Sequence, residues 1–314
     1  MKEVILITDR YSPESVATLR KEIPVEIIQQ PHRPDPNILA KATAILIRSR
    51  TKIDGEFLTV AKNLKVIVTA TSGYDHINLQ LTKNKNITVM HTPDANTESA
   101  AELTLLLVLG ALRHLSASTR LLKDGYWKDV LHSGHELRGK TVGLIGLGRV
   151  GSRVAELLKA FGAHVLAHDP YQKDEIFKNL SLERLGLTEV LTQAEILSLH
   201  VPLTDETRHM IRADTIELMH EGALLINTSR GPVVDERALV AALESKQLLG
   251  AGLDVFENEP LARESRLRKM PQVLLTPHIG AHTDEAYLRA SNMAVLKLIK
   301  FLKVSESSDN LPLQ

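Results

Sequence analysis

The strongest constraint on the fold is a series of short β-branched apolar runs that alternate with helical segments. The first series occupies 4–8, 25–28, 44–48, 66–71 and 87–91. Such strands are apolar on consecutive positions, so both faces need cover, and helices between them make neighbouring strands parallel. The pattern predicts a small doubly wound α/β domain. A second series follows at 142–146, 165–169, 196–200, 224–228, 251–255 and 273–276, and six such strands suit a dinucleotide-binding sheet. At about 100–200 residues per domain, the 314-residue length fits one domain per series.

Between the series lies SAAELTLLLVLGALRHL, with Thr97 as candidate N-cap and Glu98 after it. Its middle is apolar on every face, so it needs more than one neighbour; a domain junction, and also a subunit interface, is the expected setting. Helical spacing returns from Asp284 to Val304, and the tail SESSDNLPLQ is expected to fray.

Charge and cysteine content narrow the partners. Lys plus Arg and Asp plus Glu each total 38, so no global basic field exists to hold nucleic acid or an anionic membrane. The absence of cysteine removes disulfides, thiolate nucleophiles and zinc–thiolate or iron–sulfur ligation. The first apolar run is bracketed by Glu3 and Asp9 and reads as a strand, not a signal peptide. The longest apolar stretch, 103–112, falls well short of the roughly 18 residues of a membrane span. A cytoplasmic protein is expected.

Two constellations carry chemistry. In KTVGLIGLGRVGSRVAELLKAFG, Gly146, Gly148 and Gly151 follow a strand and open a helix in G-x-G-x-x-G order. This order allows a tight turn, close approach of a pyrophosphate and tight helix–strand packing, and the helix N-terminus offers free N–H donors. Eighteen residues after Gly151, Asp169 ends the next strand, where a carboxylate accepts from ribose hydroxyls and repels a 2′-phosphate. NAD is therefore the expected cofactor, in preference to NADP. Further on, Arg230 in ALLINTSRG, Asp254 and Glu259 in AGLDVFENEP, and His278 in VLLTPHIGAHT stand at strand C-terminal ends, where open α/β sheets bind ligands. An anion binder, carboxylates and an imidazole are what reduction of a 2-keto acid needs beyond a nicotinamide. His278 and His282 have zinc-pair spacing, but Pro277 and Gly280 oppose a helix there and no third ligand is evident, so no metal is expected.

These segments, with TSGYDHINL at 71–79, HTPDANTESAAE at 91–102, SGHELRGKTVGLIGLGRVG at 133–151 and LHVPLTDETRHMI at 199–211, resemble the D-isomer specific 2-hydroxyacid dehydrogenase family along almost the whole chain. The resemblance implies two parallel-sheet domains: a discontinuous, flavodoxin-like substrate domain at 1–95 and 285–314, and a Rossmann NAD domain at 96–284. It also implies a homodimer with substrate bound between the domains. Carried onto this chain, Arg230 would hold the substrate carboxylate and carbonyl oxygen. His278 would be the general acid in reduction and the base in oxidation, and Glu259 would raise its pKa. Ser72 and Gly73 would lie near substrate and nicotinamide. Arg149, Val150, His200, Val201, Pro202, Thr207, Thr228, Ser229, Asp254 and Gly280 fall where the family contacts NAD, alongside Ser72 and the glycines.

Within the family, a Glu–His pair argues against formate as substrate, and the absence of lysine in TATSGYDH argues against phosphite. Arg48, Ser49 and Arg50 in AILIRSRTKID resemble the segment with which 3-phosphoglycerate dehydrogenases read a phosphate. With Arg230 they are expected to make a local anion site in a neutral chain. Phosphoglycerate oxidation in serine biosynthesis is the leading expectation, without the serine-sensing regulatory domain of some relatives. A glyoxylate, hydroxypyruvate or similar 2-keto acid reductase is the alternative, since Tyr74 and His76 depart from many phosphoglycerate enzymes. An NADH-sensing interaction protein like the corepressors of this fold stands as a third reading.

Overall fold

The computed structural model describes residues 3–130 and 133–308. The chain forms two compact units, Met1–Asn96 with His282–Gln314, and Thr97–Ala281. It leaves the first unit once and returns to it once.

In the discontinuous unit the strands are β1 (Val4–Ile7), β2 (Glu26–Gln29), β3 (Ala44–Ile47), β4 (Val66–Thr69) and β5 (Thr88–His91). They form one parallel sheet in the order β2-β1-β3-β4-β5, the flavodoxin-like arrangement. The three central strands are buried at every position, whereas β2 and β5 at the edges are partly exposed. This gradient is why the apolar runs are purest in the middle of the series.

On one face, the helix Pro13–Glu22 packs beside the helix Asp284–Ser308, joining Val16 and Leu19 to Ala290, Val295 and Leu298 in one core. The opposite face is closed by Leu39, Leu58 and Ile77. The returning helix is also sewn in by polar bonds: Ser12 N donates to Ser291 Oγ (3.3 Å) and Ser15 Oγ to Asn292 Oδ1 (2.5 Å). It continues to Ser308, four residues into the segment expected to fray, and residues 309–314 of that expectation lie outside the described residues.

The second unit contains β6 (Thr141–Ile145), β7 (His164–His168), β8 (Ile196–Leu199), β9 (Ala223–Asn227), β10 (Leu248–Leu253) and β11 (Val273–Leu275). All are parallel, in the order β11-β10-β9-β8-β6-β7. The place beyond β7, filled by the third strand in a dinucleotide-binding sheet, is reduced to a single parallel bridge between Ala167 and Arg184, with Leu185 N donating to Ala167 O. Arg184 secures that segment, donating to Asp169 O, Gln172 O and Asp174 Oδ1 and stacking over Phe177.

The apolar helix runs over Thr97–Leu112 and is buried within the second unit, against the helix Arg149–Ala160 and against β9, β10 and β11. Thr97 does not cap it. Thr97 is its first residue, and its buried Oγ1 has no hydrogen-bond partner among the described residues. The helix is also shorter than its apolar run suggests: His114 takes a left-handed conformation (φ +51°), and a separate helix, Leu115–Lys123, leaves at 64°. His135 N donates to Leu112 O (2.9 Å), occupying a carbonyl at the break. Among the described residues no single helix is long and apolar enough to cross a membrane.

Candidate active site

The glycine loop of the second unit shows three different demands. Gly146 has φ +97°, and a Cβ there would stand 2.6 Å from His200 O; at Gly151 it would stand 2.1 Å from Gly146 O. These two glycines are required by the backbone itself. At Gly148 a Cβ would meet nothing within 4 Å, so the protein alone has no steric need of glycine. That open space lies at the N-terminus of the helix that begins at Arg149 and Val150, which fits a pyrophosphate approaching the backbone N–H groups of its first turn.

Asp169, one residue beyond β7, is fixed against this loop. Its Oδ2 accepts from Leu147 N (2.8 Å), while Oδ1 accepts from Tyr171 N and Gln172 N (both 3.0 Å). One lone pair of Oδ2 is left for a ribose hydroxyl. The residues present thus fit a dinucleotide. His200 forms the other wall: its N donates to Ile145 O (2.8 Å), its Nε2 meets Ser198 Oγ (3.0 Å), and burial pushes its pKa down to about 4. It is a neutral, packed imidazole. Val201 adjoins Gly146, and Thr207 Oγ1 donates to Pro202 O (2.6 Å), closing the following turn.

Around the ends of β9 and β10 the polar residues hold one another. Thr228 Oγ1 meets Thr104 Oγ1 (2.8 Å). Asn227, fully buried, accepts from Ser229 N and Oγ (3.0 and 2.8 Å) and donates to Arg230 O (2.9 Å). The Arg230 guanidinium donates to Ser229 O (2.7 Å). At Gly231 a Cβ would lie 1.9 Å from the Phe256 carbonyl, so the turn after Arg230 rests directly on the backbone after β10. Asn227 and Gly231 escaped the sequence reading, although a polar residue ending an apolar strand was the same signal that singled out Arg230.

His278 Nδ1 lies 2.7 Å from Glu259 Oε2, and Glu259 Oε1 accepts from Phe256 N (3.1 Å). The Glu259–Pro260 peptide is cis. The hydrogen bond that His278 donates to Glu259 raises the His278 pKa above its ordinary value; burial opposes this, the charges of Glu259 and Asp254 assist it, and Arg230 resists it. Burial alone would raise the Glu259 carboxyl, but the bond and charge of His278, the Phe256 N–H and the Arg230 charge hold it below the usual range. Asp254 is almost fully buried and serves the loop: it accepts from Thr276 Oγ1 (2.6 Å), Ile279 N and Gly280 N (both 2.8 Å), while its carbonyl accepts from His278 N (2.8 Å). That grip supports the left-handed backbone of His278 (φ +54°).

The discontinuous unit carries its own cluster. Asp9 Oδ2 accepts from Arg48 N (2.6 Å) and Thr51 Oγ1 (2.9 Å), fixing the turn after β3. The Arg48 guanidinium stacks 5.3 Å from the Tyr287 ring, and its buried NH1 has no hydrogen-bond partner among the described residues. Ser49 and Arg50 are exposed. Ser72 Oγ donates to Pro93 O (3.3 Å), Ser72 O meets His91 Nδ1 (2.8 Å), and Gly73 O accepts from Thr71 Oγ1 (2.7 Å).

Comparison with known proteins follows the same lines. The profile of "D-isomer specific 2-hydroxyacid dehydrogenase, NAD binding domain" matches residues 105–280. The chain is 39% identical over 289 residues to the D-3-phosphoglycerate dehydrogenase of Mycobacterium tuberculosis, covering 91% of this chain but only 54% of that protein. It thus spans about half the length of that relative. It is 37% identical over 302 residues to the hydroxypyruvate reductase of Thermotoga maritima, covering 95% of this chain and 98% of that one. A solved D-lactate dehydrogenase from Aquifex aeolicus, complexed with NAD and lactic acid, superposes with a TM-score of 0.83 at 32% identity and 97% coverage of each chain.

Proposed function

The chain belongs to the D-isomer specific 2-hydroxyacid dehydrogenase family, and on that premise we propose that it is an NAD-dependent dehydrogenase of small 2-hydroxy acids. The observation that carries this reading is the 2.7 Å Glu259–His278 pair, under the charge of Arg230, in the unit that also holds the glycine loop. NAD, when bound, supplies or accepts the hydride. Gly146, Gly148, Gly151 and Asp169 would hold it, and Arg149, Val150, His200, Val201, Pro202, Thr207, Thr228, Ser229, Asp254 and Gly280 would border it. Residues 96–284 form the NAD domain in this reading, and 1–95 with 285–314 form the substrate domain.

The protein's own contribution is binding and proton management. The Arg230 guanidinium binds the substrate carboxylate through its planar fork. His278 engages Glu259 through Nδ1, so its Nε2 carries the proton given to the nascent hydroxyl in reduction and taken back in oxidation.

The substrate we infer first is 3-phosphoglycerate, oxidised to phosphohydroxypyruvate on the way to serine. Its support is Arg48, whose NH1 is buried without a hydrogen-bond partner among the described residues while its guanidinium lies over the Tyr287 ring. Arg50 and Ser49, exposed beside it, extend the phosphate site. Glyoxylate or hydroxypyruvate reduction is the alternative, favoured by the full-length match to a relative named hydroxypyruvate reductase. A panel measuring NADH oxidation with phosphohydroxypyruvate, hydroxypyruvate, glyoxylate and pyruvate, and NAD reduction with 3-phosphoglycerate, decides. Absence of turnover on all of them overturns the enzyme reading. Arg48→Ala is expected to damage the phosphorylated substrate alone, and equal loss on glyoxylate removes Arg48 from phosphate recognition.

We also infer a homodimer in the cytoplasm. The dimer is supported by Leu106, Leu115, Leu122, Tyr126 and Trp127, large apolar residues left exposed within one short stretch.

A further inference from the structure

A second acid–imidazole cluster adjoins the Glu259–His278 pair, built from residues to which the sequence assigned no role. His209 lies in the loop after β8, Glu236 opens the helix Glu236–Ser245 after β9, and Glu257 lies in the loop after β10. His209 Nε2 meets Glu257 Oε1 at 2.5 Å, and Glu257 N donates to Glu236 Oε1 at 2.7 Å. His209 N donates to Pro232 O (2.8 Å), and Gly231 rests on the Phe256–Glu257 backbone. Three successive strand-end loops are thus tied at one place.

The link to the proton pair is a matter of consecutive peptide groups. Phe256 N donates to Glu259, and the next N–H, that of Glu257, donates to Glu236. Two adjacent amides of one turn are therefore held by two carboxylates, one of which holds His278. If Glu236 lets go, the Glu257 peptide can rotate, and the turn that presents Glu259 relaxes with it.

We propose that Glu236, Glu257 and His209 are positioning residues that hold the Phe256–Glu259 turn so that Glu259 stays bonded to His278, and that they thereby set the pH range over which His278 keeps its proton. The inference rests on the reading of Glu259 and His278 as the proton-handling pair. The charges facing His278 are Glu259, Asp254 and Arg230; those facing the cluster are Glu236 and Glu257 on one another and His209 on Glu257. Burial raises the Glu236 carboxyl, the Glu257 N–H counteracts this, and the Glu257 charge adds to it.

The test needs no identified substrate. The imidazole of His278 is titrated by NMR in the full chain with NAD bound, its signal assigned by its loss in His278→Asn. Glu259→Gln is expected to lower the midpoint by about one pH unit, the scale of a lost neighbouring charge. Glu236→Leu is expected to lower it by about half as much, because Glu259 is loosened and not removed. Glu236→Gln keeps an acceptor oxygen for the Glu257 N–H and is expected to hold the wild-type midpoint. His209→Ala, at a side chain 40% exposed, gives the same downward direction should Glu236→Leu fail to fold. Unchanged midpoints in Glu236→Leu and His209→Ala, with Glu259→Gln lowered, overturn the cluster. An equal drop in Glu236→Gln also overturns positioning, since charge alone would then act. An unchanged midpoint in Glu259→Gln overturns the proton-pair reading itself.

Discussion

At the scale of residues, protonation decides what this site can do. Because the His278 pKa is raised in the folded protein, its pairing stabilises the fold below the unfolded histidine value and that gain is lost as pH rises through the folded one. Glu259 is lowered, so its gain is present above the unfolded value and is lost as pH falls through the folded one. The pair is therefore intact only between the two. The expected result is a reduction rate that declines on the alkaline side above the ordinary histidine pKa. In Glu259→Gln that decline moves to lower pH, so reduction suffers more than oxidation at neutral to alkaline pH; coincident profiles of the two proteins count against it. His200 gives the opposite expectation: buried and lowered to about 4, its ring should not titrate between pH 5.5 and 8, a window chosen around the ordinary histidine value, and an NMR midpoint inside it would refute the packing described. Asp169→Ala should relax discrimination against NADP, measured as the ratio of kcat/KM for the two cofactors. Arg230, Glu259 and His278 stood out as polar groups in the loops that follow apolar strands, but the roles expected of them came from the family resemblance. Asp254 was legible as a residue but not as a job, since only the fold brings Thr276, Ile279 and Gly280 to its oxygens.

At the scale of elements, the strands were readable because consecutive burial leaves its mark on every side chain, as in Ile45, Leu46 and Ile47. Turns and breaks were less readable, because partners distant in sequence decide them. The helix break at His114 depends on residues near 135, and the reduced third strand depends on Arg184 reaching back to Asp169 and Gln172. Gly231 is the sharpest case, for its requirement comes from the Phe256 backbone. Gly231→Ala should displace the turn, cost about 1–3 kcal/mol in urea unfolding, and reduce kcat/KM through both Arg230 and Glu259. A variant that unfolds and turns over as wild type would show that the contact yields freely. Asp254→Ala leaves buried donors unpaired and should cost about 3 kcal/mol, read the same way.

At the scale of the whole molecule, two units were expected from length and strand series, and the return of the last helix was expected only through family resemblance. No local pattern says which unit a helix joins; Ser12–Ser291 and Ser15–Asn292 settle it across more than 270 residues. The proposed dimer has its own test: Leu122→Glu should shift the protein towards monomer in light scattering, and an unchanged mass would move the interface away from this stretch. The discontinuity also has a consequence in time. A ribosome delivers residues 1–96 before the inserted unit, and the part of the sheet face that receives Ala290, Val295 and Leu298 beside the helix Pro13–Glu22 stays uncovered until the helix Asp284–Ser308 emerges. The inserted unit, continuous in sequence, can finish folding while the outer one waits. The half made before the inserted unit is thus completed after it, and in between its half-covered sheet face is a surface in need of a chaperone.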